Sequence, residues 1–287
     1  MKNKLALGTV QFGLDYGINN HQGKVSVEDV KEILEQAKRS EVFILDTAQA
    51  YGNSEEVLGN IGVNEFDVVT KIISPEPGAA LKDQVLISLQ RLNESALYGL
   101  LFHDFNYWQS CHGLWTKFEK IKQQGLTKKI GFSLYHPGQW HIIQHKGITP
   151  DVLQIPMSLL NQQFLPYLSE FKEAGIEVHV RSAFLQGLLL METESVPVRF
   201  SEIKPLIEAL KHLSEKWKVN RANICLLWLW QNMFIDHIVL GVDSITQWQE
   251  NLAAAKWCEK NYNTIKIDAS AFKCENENII NPSKWKS

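Results

Sequence analysis

Residues 43–56 read FILDTAQAYGNSEE, an apolar run that stops at Asp46 and is followed by small and polar residues around Tyr51. This pattern is typical of a short buried strand with polar side chains at its carboxyl end. The run DVVTKI (67–72) likewise closes with Lys71, and YGLLFH (98–103) closes with His103. Three successive strand ends with ionisable side chains predict a parallel sheet that carries its chemistry at one edge.

Eight apolar runs alternate with amphipathic stretches long enough for helices. Ser26 with Asp29 predicts the start of a helix through Arg39, and residues 80–92 and 164–174 have apolar residues at helical spacing. Alternation of strands and helices predicts an α/β protein, and eight such units in 287 residues predict a single (β/α)8 TIM barrel. The predicted strands are residues 5–9, 43–48, 67–72, 98–103, 129–134, 152–157, 177–184 and 237–242.

The organisation of the chain suggests no domain boundary, and we expect one barrel domain over residues 1–287. Residues 191–205, with two prolines and several charges, predict a long loop after the seventh strand, followed by a helix. A tail is expected from about residue 262. It either folds over the barrel mouth with Trp285 as an anchor or remains disordered, as chain ends often do.

Composition indicates a globular protein, because 45% hydrophobic residues suffice for a large core. A formal charge of −3 gives no general attraction to nucleic acid or anionic membranes, so we expect neither as a partner. The four cysteines lack CxxC and metal-ligand spacing, as is usual in a reducing compartment. With no signal-peptide core, and residues 224–230 as the longest apolar run, we expect a cytoplasmic protein. The sequence does not indicate an oligomeric state.

Four side chains at the strand ends together provide a proton donor for carbonyl reduction: Asp46, Tyr51, Lys71 and His103. A free phenol has a pKa of about 10, so a buried cation such as Lys71 is needed to favour the phenolate. Asp46 can keep that lysine protonated. His103 can donate a hydrogen bond to the carbonyl oxygen. Taken singly, each residue also fits a structural role, as a cap, a core-edge aromatic, a surface lysine or a core histidine.

Around these residues the chain resembles the aldo-keto reductases over nearly its whole length. The matching segments are LGTVQFG (7–13), DTAQAYGNSE (46–55), LFH (101–103), KIGFSL (129–134), QIPMSLLN (154–161) and GVDSITQWQEN (241–251). The resemblance implies an NAD(P)H-dependent oxidoreductase that moves hydride between nicotinamide C4 and the carbonyl or alcohol carbon of a small molecule. Tyr51 would be the general acid in reduction and the general base in oxidation.

The resemblance also implies contacts to the nicotinamide. Ser133 and Gln154 match residues that hydrogen-bond its carboxamide, whereas Leu134 stands where an asparagine usually follows the serine, with Asn161 as a nearby candidate substitute. Arg181 stands where the family generally stacks a tyrosine on the nicotinamide. A guanidinium can stack on a ring or pair with a phosphate, although Arg181 also fits a surface salt bridge.

The far end of the cofactor is expected along the seventh strand's exit loop and the last strand and helix. The residues implied for the pyrophosphate and adenosine are Ser182, Leu185, Gly241, Asp243, Gln247, Glu250 and Asn251. Ser244 and Gln247 also form an S-x-x-Q capping box, so a structural role at the start of a helix would explain both residues without any cofactor contact. Relatives that favour NADPH place Lys or Arg around residues 241–243 or at 247, whereas Asp243 suits a ribose 2′-OH. Family habit therefore favours NADP(H), with NAD(H) as the alternative.

Aromatic residues after the first and fourth strands are expected to wall the substrate pocket: Phe12, Tyr16, Phe105, Tyr107 and Trp108. Such a wall suits an apolar aldehyde or the face of a sugar ring. We expect no metal site, because His141 and His145, four residues apart, have no evident third ligand.

Two other functions remain open from the sequence. The first is a nicotinamide-binding barrel without turnover, since some relatives on this fold are regulatory subunits of ion channels. The second is an aldolase that forms a Schiff base at Lys71, which requires a lowered lysine pKa, whereas Asp46 should raise it.

Overall fold

The computed structural model describes residues 3–20, 22–74 and 80–285. Eight parallel strands close into one barrel in sequence order, with the last strand paired to the first. The predicted (β/α)8 TIM barrel is therefore confirmed. The strands are β1 (Leu5–Gly8), β2 (Ile44–Asp46), β3 (Asp67–Ile72), β4 (Leu97–Phe102), β5 (Thr127–Ser133), β6 (Val152–Pro156), β7 (Glu177–Arg181) and β8 (His237–Gly241).

Helices surround the barrel, and none within the described ranges is long and apolar enough to cross a membrane. They are α1 (Val10–Gly13), α2 (Val27–Arg39), α3 (Ser54–Ile61), α4 (Leu81–Leu92), α5 (Phe105–Ser110), α6 (Leu114–Gln123), α7 (Pro137–His145), α8 (Leu168–Glu173), α9 (Lys204–Trp217), α10 (Arg221–Gln231), α11 (Ile245–Asn261) and α12 (Glu277–Ile280). Short 3-10 turns lie at Leu165–Tyr167, Leu188–Leu190, Thr193–Ser195, Val198–Ile203, Ser270–Phe272 and Pro282–Lys284.

Several predicted elements differ from the structure by a few residues at their ends. Helix α2 begins as expected, because the Ser26 hydroxyl accepts a hydrogen bond from the Asp29 amide at 3.1 Å. The helix predicted over 164–174 is instead a 3-10 turn containing a proline and then the shorter α8. The strand predicted over 177–184 ends at Arg181, because Ser182 takes a left-handed conformation with φ of 64°.

The alternation of side chains along the strands builds the barrel interior in layers. The apolar layer at mid-height contains Ala6, Ile44, Val69, Leu101, Val152 and Val239. Asp46, Lys71 and His103 each lie two residues after a member of this layer, namely Ile44, Val69 and Leu101. Their side chains therefore also face the barrel interior, at the carboxyl ends of the strands. Residues of the opposite parity pack beneath the helices in the larger core cluster.

The segment after α11 packs against the loop that follows β6. The Cys274 amide donates to Leu160 O at 2.9 Å, and the Asn161 side chain donates to Ile280 O at 3.3 Å. The Trp285 ring lies 4.7 Å from the ring of Phe200, between centroids. The tail is therefore in contact with the loop after β6 and with Phe200 as far as Trp285.

Gly131 gives a direct test of the barrel register. A Cβ at this position would lie 1.8 Å from the carbonyl oxygen of Val152, its partner across β5 and β6. We expect Gly131→Ala to lower the free energy of unfolding by about 3 kcal/mol, because one strand must move. Gly125→Ala is the matched control, since its φ is +76° but no atom lies within 4 Å of the added Cβ, and it should cost about 1 kcal/mol. Urea unfolding measures both, and equal losses would contradict this account of the register.

Candidate active site

The side chain of Lys71 joins three of the four predicted catalytic residues. Its Nζ donates to Asp46 Oδ2 at 2.7 Å, to the Thr47 carbonyl at 2.9 Å and to the Tyr51 hydroxyl at 3.3 Å. The lysine is 0% exposed. Three acceptors match the three N–H donors of an ammonium group, so the surroundings of Nζ suit the protonated form.

His103 completes the group from β4. Its ring meets the ring of Tyr51 edge-on, with centroids 5.9 Å apart and planes at 90°. The four predicted residues therefore come together at the carboxyl end of the barrel, as their strand-end positions predicted.

A glycine and a hydroxyl network hold Tyr51 in place. Gly13 lies so close that an added Cβ would be 1.8 Å from the Tyr51 carbonyl oxygen. The Ser54 hydroxyl donates to the Thr9 carbonyl at 2.9 Å and receives a hydrogen bond from Thr47 Oγ1 at 3.2 Å. Because Thr9 and Ser54 are fully buried, these bonds fix the loop after β2 onto the loop after β1.

Burial reverses one electrostatic expectation. It raises the pKa of Tyr51 well above the ordinary value, the Asp46 carboxylate raises it further, and Arg181 opposes both. The sequence argument expected the neighbouring lysine to lower this pKa, but the net shift is upward and desolvation of the phenolate is its largest cause. Tyr51 therefore keeps its proton at neutral pH, as a proton donor must.

The same burial acts on the two basic groups. It lowers the pKa of Lys71, against the opposing effect of Asp46 and its hydrogen bond. It also lowers the pKa of His103 to about 4, with the positive charges of Lys71 and Arg181 adding to the shift. His103 is therefore a neutral imidazole at pH 7, with one N–H that can donate a hydrogen bond.

The two residues implied for the nicotinamide carboxamide are linked to the catalytic group. The Gln154 amide nitrogen donates to Asp46 Oδ1 at 2.6 Å, so both carboxylate oxygens of Asp46 are engaged. Ser133 Oγ lies 3.4 Å from Gln154 Oε1. Sequence reasoning missed this connection because 108 residues separate Asp46 from Gln154. Asn161 is not available as a substitute, since it is buried and donates to the tail.

Arg181 stacks on Tyr135, a residue that the sequence did not single out. The guanidinium carbon lies 4.2 Å from the centre of the Tyr135 ring, and Nη2 donates to the Leu134 carbonyl at 3.0 Å. No carboxylate in the described ranges forms a salt bridge with Arg181, so the salt-bridge alternative is not observed. Nothing in the sequence around Tyr135 indicates the stacking.

The exit loop of β7 has an unusual backbone. Ser182, Leu185 and Gln186 have φ values of 64°, 48° and 54°, and they are half of the non-glycine residues with positive φ in the described chain. Left-handed conformations of non-glycine residues cost free energy and cluster at binding sites. An added Cβ at Gly241 would lie 2.6 Å from Gln11 Oε1, and this buried oxygen has no hydrogen-bond partner among the described residues.

The residues implied for the adenosine lie at the start of α11. Ser244 Oγ accepts from the Gln247 amide at 3.2 Å, and Gln247 Oε1 accepts from the Asp243 amide at 3.0 Å. The structural role of the pair as a helix cap is therefore present. Glu250 is exposed and Asn251 is buried on this helix.

Three of the aromatic residues predicted to wall the pocket are in the core. Phe12, Phe105 and Trp108 are buried, and the last two pack on Phe132, which faces outward from β5. The rings of Phe105 and Trp108 on α5 therefore pack against the outer side of β5.

The two predicted tyrosines are more accessible. Tyr107 is half-buried against the core cluster. Tyr16 is 40% exposed, and its hydroxyl accepts a hydrogen bond from Gln186 at 2.9 Å. Burial of the hydroxyl end and the nearby Tyr51 raise the pKa of Tyr16 to about 12.

Comparison with known proteins gives consistent matches. The model described as the aldo/keto reductase family matches residues 4–269. L-galactose dehydrogenase of Arabidopsis thaliana is 25% identical over 316 residues, covering 98% of this chain and 92% of that protein. An aldo-keto reductase of Mycolicibacterium vanbaalenii is 31% identical over 177 residues, and the match covers 58% of this chain and 63% of that protein. The fold is similar to that of the holo form of aldo-keto reductase AKR11C1 from Bacillus halodurans, with a TM-score of 0.70 at 18% identity over 88% and 86% of the two chains.

The ionisation of His103 can be measured directly. We expect its ring resonances to titrate near pH 4, well below the value of about 6.5 for an unperturbed histidine, because burial and two cations disfavour the charged ring. Between these pH values the unfolded chain binds more protons at this residue than the folded one, so its contribution to stability is complete above pH 6.5 and lost as the pH falls towards 4. NMR titration of the wild type, with His103→Gln to assign the signal, tests this. A folded-state pKa at or above 6.5 would refute it.

Proposed function

This chain belongs to the aldo/keto reductase family, and on that basis we propose that it transfers hydride between NAD(P)H and the carbonyl or alcohol carbon of a small molecule, with Tyr51 as general acid or base. The observation that carries the proposal is the buried contact of Lys71 Nζ with Asp46 Oδ2, the Thr47 carbonyl and the Tyr51 hydroxyl. It gives each catalytic residue the role that carbonyl reduction requires.

The nicotinamide cofactor supplies the hydride when it is bound. Ser133 and Gln154 would hold its carboxamide, and Arg181 with Tyr135 would border the nicotinamide ring. The left-handed turn at Ser182 and Leu185 has backbone geometry suited to a phosphate group. Gln11 packs against Gly241, and its buried Oε1, which has no hydrogen-bond partner among the described residues, could accept a hydrogen bond from a bound cofactor. The start of α11, with Asp243, Gln247, Glu250 and Asn251, would receive the adenosine.

In the reducing direction the phenol of Tyr51 gives its proton to the carbonyl oxygen. The phenolate that remains accepts a hydrogen bond from Lys71, which Asp46 holds in place. Arg181 also acts electrostatically on Tyr51 and lowers the pKa of its phenol, so two cations stabilise the phenolate. The neutral His103 donates its N–H to the same substrate oxygen and orients it.

For the substrate we propose a sugar-like, polyhydroxylated carbonyl compound or the corresponding alcohol. Support comes from the name of one relative, L-galactose dehydrogenase, and from polar groups near the mouth: the Tyr16 hydroxyl is hydrogen-bonded to Gln186, and the Tyr135 ring stacks on Arg181. A simple aldehyde or ketone is the alternative.

The two other functions are less well supported. A nicotinamide-binding barrel without turnover would need no connected Asp46–Lys71–Tyr51 contact, yet all three residues are in place. A Schiff base at Lys71 gains from the lowered pKa. It is opposed by the complete burial of Nζ among three acceptors, which leaves no lone pair directed at a substrate.

A cytoplasmic location also remains part of the proposal. The four cysteines Cys111, Cys225, Cys258 and Cys274 are free, which supports a reducing compartment. We likewise propose that residues 1–287 act as one domain, with the tail packed beside the mouth.

Substitution of the proposed acid tests the chemistry. Tyr51→Phe should lower the reduction rate by about 10²–10⁴-fold, because the proton donor is lost, while cofactor affinity stays within about twofold. Consumption of NADPH and NADH with an aromatic aldehyde and a panel of aldoses measures the rate. Tyr167→Phe, on the outer turn before α8, is the control and should keep wild-type turnover. Unchanged turnover in Tyr51→Phe would eliminate Tyr51 as the acid.

Parallel titration with NADPH and NADH tests the cofactor assignment, with quenching of tryptophan fluorescence as the readout. We expect NADPH to bind more tightly, and Asp243→Asn to tighten NADPH binding by about fivefold, because one repulsive charge beside the 2′-phosphate is removed. Tighter binding of NADH in the wild type, weakened by Asp243→Asn, would instead assign Asp243 to the ribose hydroxyl. If neither nucleotide binds, the oxidoreductase proposal fails.

A further inference from the structure

A second polar cluster lies inside the barrel at the amino ends of the strands, below the apolar layer. It contains Tyr98 at the start of β4, Lys129 of β5, Glu177 and His179 of β7 and His237 of β8. None of these side chains belongs to the candidate active site, which lies at the opposite end.

Strand register brings the ligand-forming residues of this cluster together. Glu177 and His179 are two residues apart on β7, so both face the barrel interior. His179 is the register partner of His237 on the neighbouring strand. The two imidazole rings are 4.9 Å apart between centroids, at 70°. One ligand atom from each of Glu177, His179 and His237 lies within 4.8 Å of the other two.

The carboxylate of Glu177 uses its two oxygens differently. Oε1 lies 2.7 Å from His179 Nε2, whereas Oε2 contacts Lys129 Nζ and accepts from the Tyr98 hydroxyl at 2.9 Å. Lys129 and Tyr98 suffice to neutralise and hold the carboxylate. The fully buried His179 has an Nδ1 with no hydrogen-bond partner in the described chain.

A solvent-filled groove gives access to the cluster from below. Its volume is about 560 Å³, and both His237 and Tyr98 line it. Its ionisable lining is mostly acidic, with Glu41, Glu65, Asp67 and Glu94 against Lys128. Asp67 pairs with Lys128 at 3.4 Å and Glu65 pairs with Lys38 at 2.6 Å, so Glu41 and Glu94 would be the carboxylates that attract a cation towards His237.

We propose that Glu177, His179 and His237 bind one divalent transition-metal ion of the zinc class. Two imidazoles and one carboxylate are a common zinc ligand set, and solvent from the groove would supply the fourth ligand. Tetrahedral ligand atoms about 2.0–2.1 Å from the metal are about 3.4 Å from each other. Glu177 Oε1 and His179 Nε2, now 2.7 Å apart, would therefore separate slightly to admit the ion. Lys129 and Tyr98 would remain as partners of Glu177 Oε2 and orient the carboxylate.

The ion would have a structural role. It would join β7 to β8 far from Tyr51 and Lys71, so its binding energy would add to folding stability without entering the reaction. The proposal therefore stands or falls separately from the proposed oxidoreductase activity.

The first test uses the wild-type protein after removal of metal with a chelator. Titration with Co²⁺ should show one tight equivalent with the visible absorption of a low-symmetry nitrogen and oxygen site, and Zn²⁺ should displace it. Zn²⁺ should also raise the melting temperature, while affinity for NAD(P)H stays unchanged. A wild-type protein that binds no tight equivalent of either metal would overturn the proposal and leave the cluster as an ion-pair network.

Matched variants locate the site. His237→Gln, at the rim of the groove, and His179→Gln should each weaken Zn²⁺ binding by at least about tenfold. The double variant His141→Gln/His145→Gln removes the surface pair of histidines on α7 and should keep the tight equivalent. Loss of that equivalent in the α7 variant, or its retention in both cluster variants, would refute the assignment. If His179→Gln does not fold, His237→Gln and the wild-type Co²⁺ spectrum still show whether the metal binds at this cluster.

Discussion

The active site depends on the burial of one cation, Lys71, inside the barrel. A lone buried ammonium is strongly disfavoured, and the structure compensates with the Asp46 carboxylate, a backbone carbonyl and the Tyr51 hydroxyl. Asp46 in turn needs a second partner, which Gln154 provides from β6. Strands β2, β3 and β6 are thereby coupled through the same few atoms. A substitution at any of these positions would leave a buried polar group without a hydrogen-bond partner and would lower the free energy of unfolding.

The two-residue period of the strands explains how one barrel holds two separate polar clusters. Inward positions at mid-height are small or apolar, from Ala6 on β1 to Val239 on β8. Positions two residues towards the carboxyl ends carry the Asp46 and Lys71 group, and positions towards the amino ends carry Glu177 and His237. The apolar layer of Ala6, Ile44, Val69, Leu101, Val152 and Val239 lies between the two clusters. The proposed chemistry and the proposed structural ion would therefore use separate sets of side chains.

The fold and the candidate site could be predicted from the sequence where a local pattern determines the structure. Apolar runs located the eight strands, and strand ends located Asp46, Lys71 and His103, because alternation fixes which side chains face inward. It failed where direction depends on distant packing: Phe105 and Trp108 follow β4 as a pocket wall would, but their rings pack on Phe132 outside the barrel. Contacts between strands far apart in sequence, such as Arg181 with Tyr135 and His179 with His237, leave no local pattern at all.

The electrostatics of Tyr51 indicate how the site divides its work. If a neighbouring lysine alone set the phenol's pKa, the phenolate would already be populated and the proton unavailable for reduction. Burial and Asp46 instead raise the pKa, so Tyr51 keeps its proton at neutral pH. Under the proposed function, a carbonyl oxygen that gains negative charge would remove that proton, and Lys71 and Arg181 would stabilise the phenolate that forms. The cations would then act mainly on the state after proton transfer and desolvation on the state before it, which is the differential stabilisation that a general acid needs.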